Sequence, residues 1–257
     1  MQPCSAAFAT KAQARQWVWD TLQQRRVARA PLPPHGRIAN FAGAAAAARR
    51  LLQEPLLQSA RSIKVNPDSP QRYVREAALQ HGIRVYVPTP RLQEGFMLLD
   101  PQRIPRMSLG EAATRATMAR WAAPVALEQM PQLDAIVTGC VAVTASGKRA
   151  GKGAGYSDLE YAILRELGWA AVPVATTVHD LQVVGDFPVD GTDQPLAVIC
   201  TPTRSLHVAD PLPPPERVAW ERLGAADLDA MPVLRELRSL QSARRRLPLA
   251  AAPGARS

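Results

Sequence analysis

The sequence predicts a three-layer α/β fold, with helices packed on both faces of a mainly parallel sheet. Two observations predict it. At least five short apolar runs rich in β-branched residues alternate with segments of helical apolar spacing. One of those runs is separated from the helix after it by a loop of glycines and cations, the usual surroundings of an anion at a helix start. A chain of 257 residues with 47% hydrophobic content is long enough to build one such domain around a sizeable core. The domain is expected over residues 10–245, with a disordered N-terminus at 1–9 and a flexible tail at 246–257.

The elements follow in order. Thr10 can cap a helix over Thr10–Leu22, whose Val18 and Leu22 share one face and whose Lys11 and Arg15, four apart, share another. Pro31, Pro33 and Pro34 make Ala30–Arg37 an extended connector. Gly43–Leu57 is alanine-rich and helical until Pro55. Arg61–Asn66 reads as a strand, about Pro70–Gln80 as a helix closed by His81 and Gly82, and Ile83–Val87 as a strand stopped by Pro88 and Pro90. Met107–Trp121 reads as a helix, with Ser108 and Glu111 spaced as a capping box. Ala135–Val143 is the central strand. Asp158–Leu167 has helical spacing, and Gly168 stands where a C-cap would. Ala171–Val178 and Leu196–Thr201 are strands, Leu181–Val184 is a shorter one, and Thr201–Arg204 is a turn. After the proline linker Pro211–Pro215, Glu216–Leu240 holds one or two helices around Met231 and Pro232, and the tail frays from Gln241.

Between the central strand and its helix lies the stretch that carries chemistry. A polar turn at Thr144–Lys148 leads into Arg149, Gly151, Lys152, Gly153 and Gly155, followed by Tyr156 and Asp158. Where Cβ is absent, backbone N–H groups can approach a phosphate, and the helix N-terminus adds partial positive charge. The spacing is neither a Walker A loop nor a dinucleotide fingerprint. The formal charge is +9, and only Lys11, Lys64, Lys148 and Lys152 among the basic residues are lysines. Such a balance suits phosphorylated ligands, anionic membranes or nucleic acid, but no RNA-binding aromatic signature or zinc spacing accompanies it, so nucleic acid is not the expected partner. Cys4, Cys140 and Cys200 show no paired spacing, and two of them sit inside apolar runs as small buried hydrophobes. With no signal core and no 18-residue apolar run, a reducing, cytoplasmic setting is expected. His179 beside Asp180 reads as a structural, hydrogen-bonded histidine rather than an acid–base pair.

Taken together, Lys11 and Arg15, Arg37–Gly43, Lys64–Asp68, Val87–Arg91, the Arg149–Asp158 loop, Val178–Val184 and Thr201–Arg204 resemble the 5-formyltetrahydrofolate cyclo-ligase family, in particular its divergent methenyltetrahydrofolate synthetase domain-containing branch. The likeness covers about residues 10–245. It implies a ligase that uses ATP and magnesium: the γ-phosphate passes to the formyl oxygen of 5-formyltetrahydrofolate, the neighbouring amine attacks, and phosphate leaves to give 5,10-methenyltetrahydrofolate. It implies Lys11, Arg15 and the amides of Gly151, Gly153 and Gly155 as nucleotide-binding groups, Arg149, Lys152 and Tyr156 as catalytic ones, and Asp158 and Asp193 as magnesium ligands. The small-molecule partner it implies is a reduced folate. The chain departs from the family at Ser157, where a second tyrosine is usual, at Leu159, and over Asp68–Gln71, which lacks the family's folate-holding glutamate. A ligase acting on another substrate, or a non-catalytic protein binding a phosphorylated ligand or RNA, are the alternatives.

Overall fold

The computed structural model describes residues 7–246. The chain runs through α1 (Lys11–Gln24), β1 (Ala28–Arg29), β2 (Asn40–Phe41), α2 (Ala44–Leu52), α3 (Pro55–Gln58), β3 (Ser62–Val65), α4 (Arg72–Gln80), β4 (Arg84–Pro88), β5 (Phe96–Leu99), α5 (Leu109–Ala112) and β6 (Ala123–Val125). It continues through β7 (Ala135–Thr138), β8 (Ala142–Thr144), β9 (Arg149–Ala150), α6 (Tyr156–Glu166), β10 (Val174–Thr177), β11 (Val183–Val184), β12 (Val198–Cys200), β13 (Ser205–His207), α7 (Ala225–Ala230) and α8 (Pro232–Arg246).

The main sheet has eight strands in the order β13-β12-β10-β7-β3-β4-β5-β6. The five central strands, β12, β10, β7, β3 and β4, are mutually parallel, with antiparallel strands at both edges. Their side chains alternate between two buried faces, which is why the sequence shows near-continuous apolar runs. On β7, Ala135 and Val137 join one core with α2 and α4, through Leu51, Val74 and Leu79. Ile136 points the other way, into a core with Tyr161 and Leu164 of α6 and Leu234 and Leu237 of α8. A second sheet of β11, β8 and β9 packs against α1 through Ala14, Val18 and Leu22. The expected three layers are present.

Several expected elements are redrawn. The Ala135–Val143 run is two strands in two sheets. It breaks at Gly139, where a Cβ would lie 2.9 Å from Asp68 Oδ2 and 3.0 Å from Ile38 Cγ2, so the side chains of Asp68, Ile38 and Gln71 crowd the backbone there. Met107–Trp121 is one α-helical turn flanked by 3₁₀ turns at Arg106–Ser108 and Met118–Arg120. Ser108 makes no capping bond, and Glu111 instead pairs with Arg120 at 2.7 Å. The Thr114 and Thr117 hydroxyls donate to the Gly110 and Glu111 carbonyls, local bonding that competes with helix propagation. The edge strands β5, β6 and β13 are additional to the expected ones; β6 and β13 are three residues each, whereas β5 is the short apolar run Phe96–Leu99. Phe8 is held by a bond to the Asp186 carbonyl at 2.7 Å and by Trp17. Helix α8 continues past Gln241, where fraying was expected. Residues 1–6 and 247–257 lie outside the described residues.

Candidate active site

The parallel strands end at one edge of the sheet, and ligands of open α/β sheets bind outside such carboxyl ends. Here β7 ends in Thr138 and Gly139, and the chain crosses through the β8–β9 hairpin before reaching α6. The hairpin delivers Arg149 to the cavity floor with its side chain only 2% exposed. Arg149 forms an ion pair with Asp158, whose Oδ1 also accepts the Gln194 N–H at 2.9 Å. Burial disfavours the Arg149 charge, but Asp158, helped by Cys140 and Asp193, outweighs it and raises the guanidinium pKa above its ordinary value.

The glycine loop then rises over this pair. Gly153 and Gly155 have φ of +107° and +70°, left-handed conformations that residues with a Cβ adopt at a cost. Gly155 is the N-cap of α6, so the helix starts at Tyr156, two residues earlier than its apolar spacing suggested. Asp158 lies in the first turn, where a carboxylate meets the positive end of the helix.

Helix α1 lies alongside. Thr10 caps it as expected, its hydroxyl accepting the Gln13 N–H at 3.2 Å. Lys11 pairs with Asp193. Arg15 sits over the loop, 3.4 Å from where a Gly153 Cβ would be, and its Nε is buried without a partner. Burial lowers its pKa. All ten residues singled out from the sequence, Lys11, Arg15, Arg149, Gly151, Lys152, Gly153, Gly155, Tyr156, Asp158 and Asp193, line one cavity of about 430 Å³.

Other residues complete it. Asp68 lines the same cavity, and burial pushes its carboxyl pKa up against the opposing charges of Lys152, Arg75, Arg115 and Lys64. Beneath the loop, Lys64 pairs with Glu160, side chains 1% and 5% exposed. Asn66 joins them, accepting from Lys64 at 3.1 Å and donating to Glu160 and Ser157 at 3.3 and 3.2 Å. Burial raises the Glu160 carboxyl pKa although Lys64 opposes the shift. This network had one legible signal: a lysine between Ile63 and Val65, inside an apolar strand, needs a partner. Arg75 is fully buried, donates to the Ala113 carbonyl at 2.9 Å and to the Asn66 carbonyl, and is brought down to about 9 by burial. The cavity's remaining wall, residues 215–231, carried no such signal. His179 is a capping residue: its Nδ1 accepts the Leu181 N–H at 3.1 Å, while Asp180 accepts the hydroxyls of Thr201 and Thr203.

The site tests favourably for a nucleotide and a magnesium ion. Arg15 and Lys152 have no ion-pair partner among the described residues, and the buried, unbonded Arg15 Nε suits an anion. Asp158 keeps its Oδ2 free of hydrogen bonds among the described residues. Both oxygens of Asp193 contact Lys11, so this second carboxylate reaches a metal only by exchange with that ammonium. Magnesium needs no more than one or two protein carboxylates beside phosphates and water.

Fold and site together define a doubly covered α/β protein with a cavity lined by cations and a glycine loop at the carboxyl end of its parallel strands. The sequence model of the 5-formyltetrahydrofolate cyclo-ligase family matches residues 7–202. The chain belongs to that family, a family of ligases. Relatives described as methenyltetrahydrofolate synthase domain-containing protein are 38% identical over 239 residues in Bos taurus and 39% identical over 236 in Mus musculus. These alignments take in 90% and 89% of this chain, which spans 63% of the length of either relative. The NMR structure of Aquifex aeolicus 5,10-methenyltetrahydrofolate synthetase is similar with a TM-score of 0.48 and 18% identity, over 78% of this chain and 93% of that one. Among the described residues, no helix is long and apolar enough to cross a membrane.

Proposed function

We propose that the chain is an ATP- and magnesium-dependent 5-formyltetrahydrofolate cyclo-ligase, producing 5,10-methenyltetrahydrofolate. The observation that carries this reading is a pair of cations, Arg15 and Lys152, that form no salt bridge among the described residues and stand at a left-handed glycine loop at the start of an 11-residue helix. Phosphoryl transfer asks a protein mainly for positioning and charge neutralisation. Arg15, with Lys11 beside it, holds the nucleotide phosphates, and the loop amides receive the group in transfer. Lys152 neutralises charge that develops on it, and Arg149 fixes Asp158 in place. Asp158 offers its open oxygen to magnesium, whose contribution when bound is to screen the phosphate charge. Tyr156, at the first position of α6, faces the cavity that receives the substrate.

One observation favours a second reading, a ligase of the same mechanism with a non-folate substrate. The Asp68–Gln71 element carries a carboxyl whose protonated form burial favours, in a stretch with Pro70 and no glutamate.

Calorimetric titration with ATP–magnesium and 5-formyltetrahydrofolate, separately and together, combined with turnover followed by methenyl-product absorbance, tests both readings. ATP binding with folate-dependent turnover is the expected outcome, and Lys152→Ala should weaken ATP binding by about 1.5–3 kcal/mol, the range for a charge-assisted hydrogen bond. ATP binding and hydrolysis without any response to folate supports the second reading. A folded protein that binds no ATP overturns the first and the second alike.

A further inference from the structure

The family match ends at residue 202, yet part of the cavity wall comes from later in the chain: Arg217, Val218, Ala219, Arg222, Leu223 and Met231 all line it. Alignment of the Bos taurus relative takes in 90% of the chain and therefore runs beyond residue 202 into this strap. The strap is fastened at two points. Glu166, at the end of α6, accepts the Val218 N–H at 2.8 Å and the Trp220 Nε1–H at 2.9 Å through one oxygen, and the Gln241 amide through the other. Arg222 reaches Asp190 and Thr192, both at 3.2 Å, in the loop that also carries Asp193. Arg238 of α8 stacks on Trp220, 4.5 Å from the ring centroid, and braces the strap from behind.

Immediately before the first fastening stands Arg217. It is exposed, lines the cavity, and has no hydrogen-bond or ion-pair partner among the described residues. A guanidinium presents a planar fork of donors suited to a phosphate or carboxylate. Of the other cations of the cavity wall, Lys11, Arg149 and Arg222 are engaged by acids, while Arg15 and Lys152 come from α1 and the glycine loop.

We infer that the 215–231 strap is a ligand-binding wall particular to this branch, in which Arg217 binds an oxyanion of the bound ligand and Glu166 is the residue that positions the strap. This rests on the proposed nucleotide and folate site. The oxyanion is a phosphate of ATP or a carboxylate of the folate, two sources of one chemistry that separate titrations distinguish.

The test compares wild type, Arg217→Ala, Arg217→Lys, Glu166→Gln, Glu166→Ala and Lys152→Ala, each titrated with ATP–magnesium and with 5-formyltetrahydrofolate. Arg217→Ala should melt with wild type and lose at least tenfold in affinity for one of the two ligands, with partial recovery in Arg217→Lys. Glu166→Gln keeps acceptors for Val218 and Trp220 and should bind nearly as wild type. Glu166→Ala should weaken the same ligand that Arg217→Ala weakens, and the double variant should lose less than the product of the single losses. Arg217→Ala affinities within twofold of wild type for both ligands overturn the inference, whatever the Glu166 variants do. In that case, a loss in Lys152→Ala leaves the nucleotide reading standing while this one falls. Wild type that binds neither ligand overturns both.

Discussion

Asp158 and Asp193 are both proposed as magnesium ligands, but their surroundings separate them. Asp158 is the counter-charge of an arginine that is fully enclosed, whereas Asp193 faces a lysine that keeps 24% of its side chain exposed. Removing one partner of a buried pair leaves an uncompensated charge, while a pair nearer solvent is worth far less. Asp158→Asn should therefore cost on the order of 3 kcal/mol in denaturant unfolding, and Asp193→Asn about 1 kcal/mol or less. Under the proposed function both variants also need more magnesium for turnover. Equal stability losses would show that Arg149 does not depend on Asp158, and an unchanged magnesium titration in both would remove them as ligands. Cys140 and Cys200 are buried, and burial raises both thiols, Cys200 to about 11. In the native protein neither should react with a neutral-pH thiol reagent at the rate seen after unfolding, and rapid native labelling of either would contradict its burial.

At the scale of elements, what the sequence made legible was set by how many faces an element buries. The strands at 62–65, 135–138 and 174–177 bury both faces and read as apolar runs, and α1 carries its cap in plain view at Thr10. The edge strands at 123–125 and 205–207 are short and broken by a proline or polar residues, while the one at 96–99 is a run of only four apolar residues, half covered and too short to tell strand from helix. The glycine loop was legible because its glycines and cations are contiguous. The Lys64–Glu160 pair joins residues 96 positions apart, and no local pattern links them. Gly139 shows the same limit. Its φ is unremarkable, and only the folded crossing beside Asp68, Ile38 and Gln71 reveals that a side chain has no room. Gly139→Ala should destabilise by about 1–3 kcal/mol through overpacking and should disturb the cavity floor beside Asp68. Thermal melts indistinguishable from wild type would mean that β7 can shift away from the crossing at little cost.

For the molecule as a whole, the two faces of the sheet are covered from opposite ends of the chain. Helices α2 and α4 close one face before residue 81, but the other is shared between α6 and α8, and Val233, Leu234 and Leu237 are almost completely enclosed there. A chain ending at residue 210 loses those side chains and the strap together. It should fail to unfold cooperatively in urea and should bind a hydrophobic dye, whereas a sharp transition near that of the full chain would make the segment after residue 210 an appendage. The proline linker at 211–215 leads into the helices expected after it, and these supply the layer that completes the core. This order of closure has a consequence for biosynthesis. Translation delivers the parallel strands and one covering layer first, and the opposite face stays only partly covered, by α6, until α8 has left the ribosome. For that interval Tyr161 and Ile136 have no complete shelter, and the nascent chain presents a greasy surface to whatever chaperone waits at the tunnel exit. A stall late in the message, after the glycine loop has emerged, would thus expose a chain that already carries that loop but cannot yet hold it still.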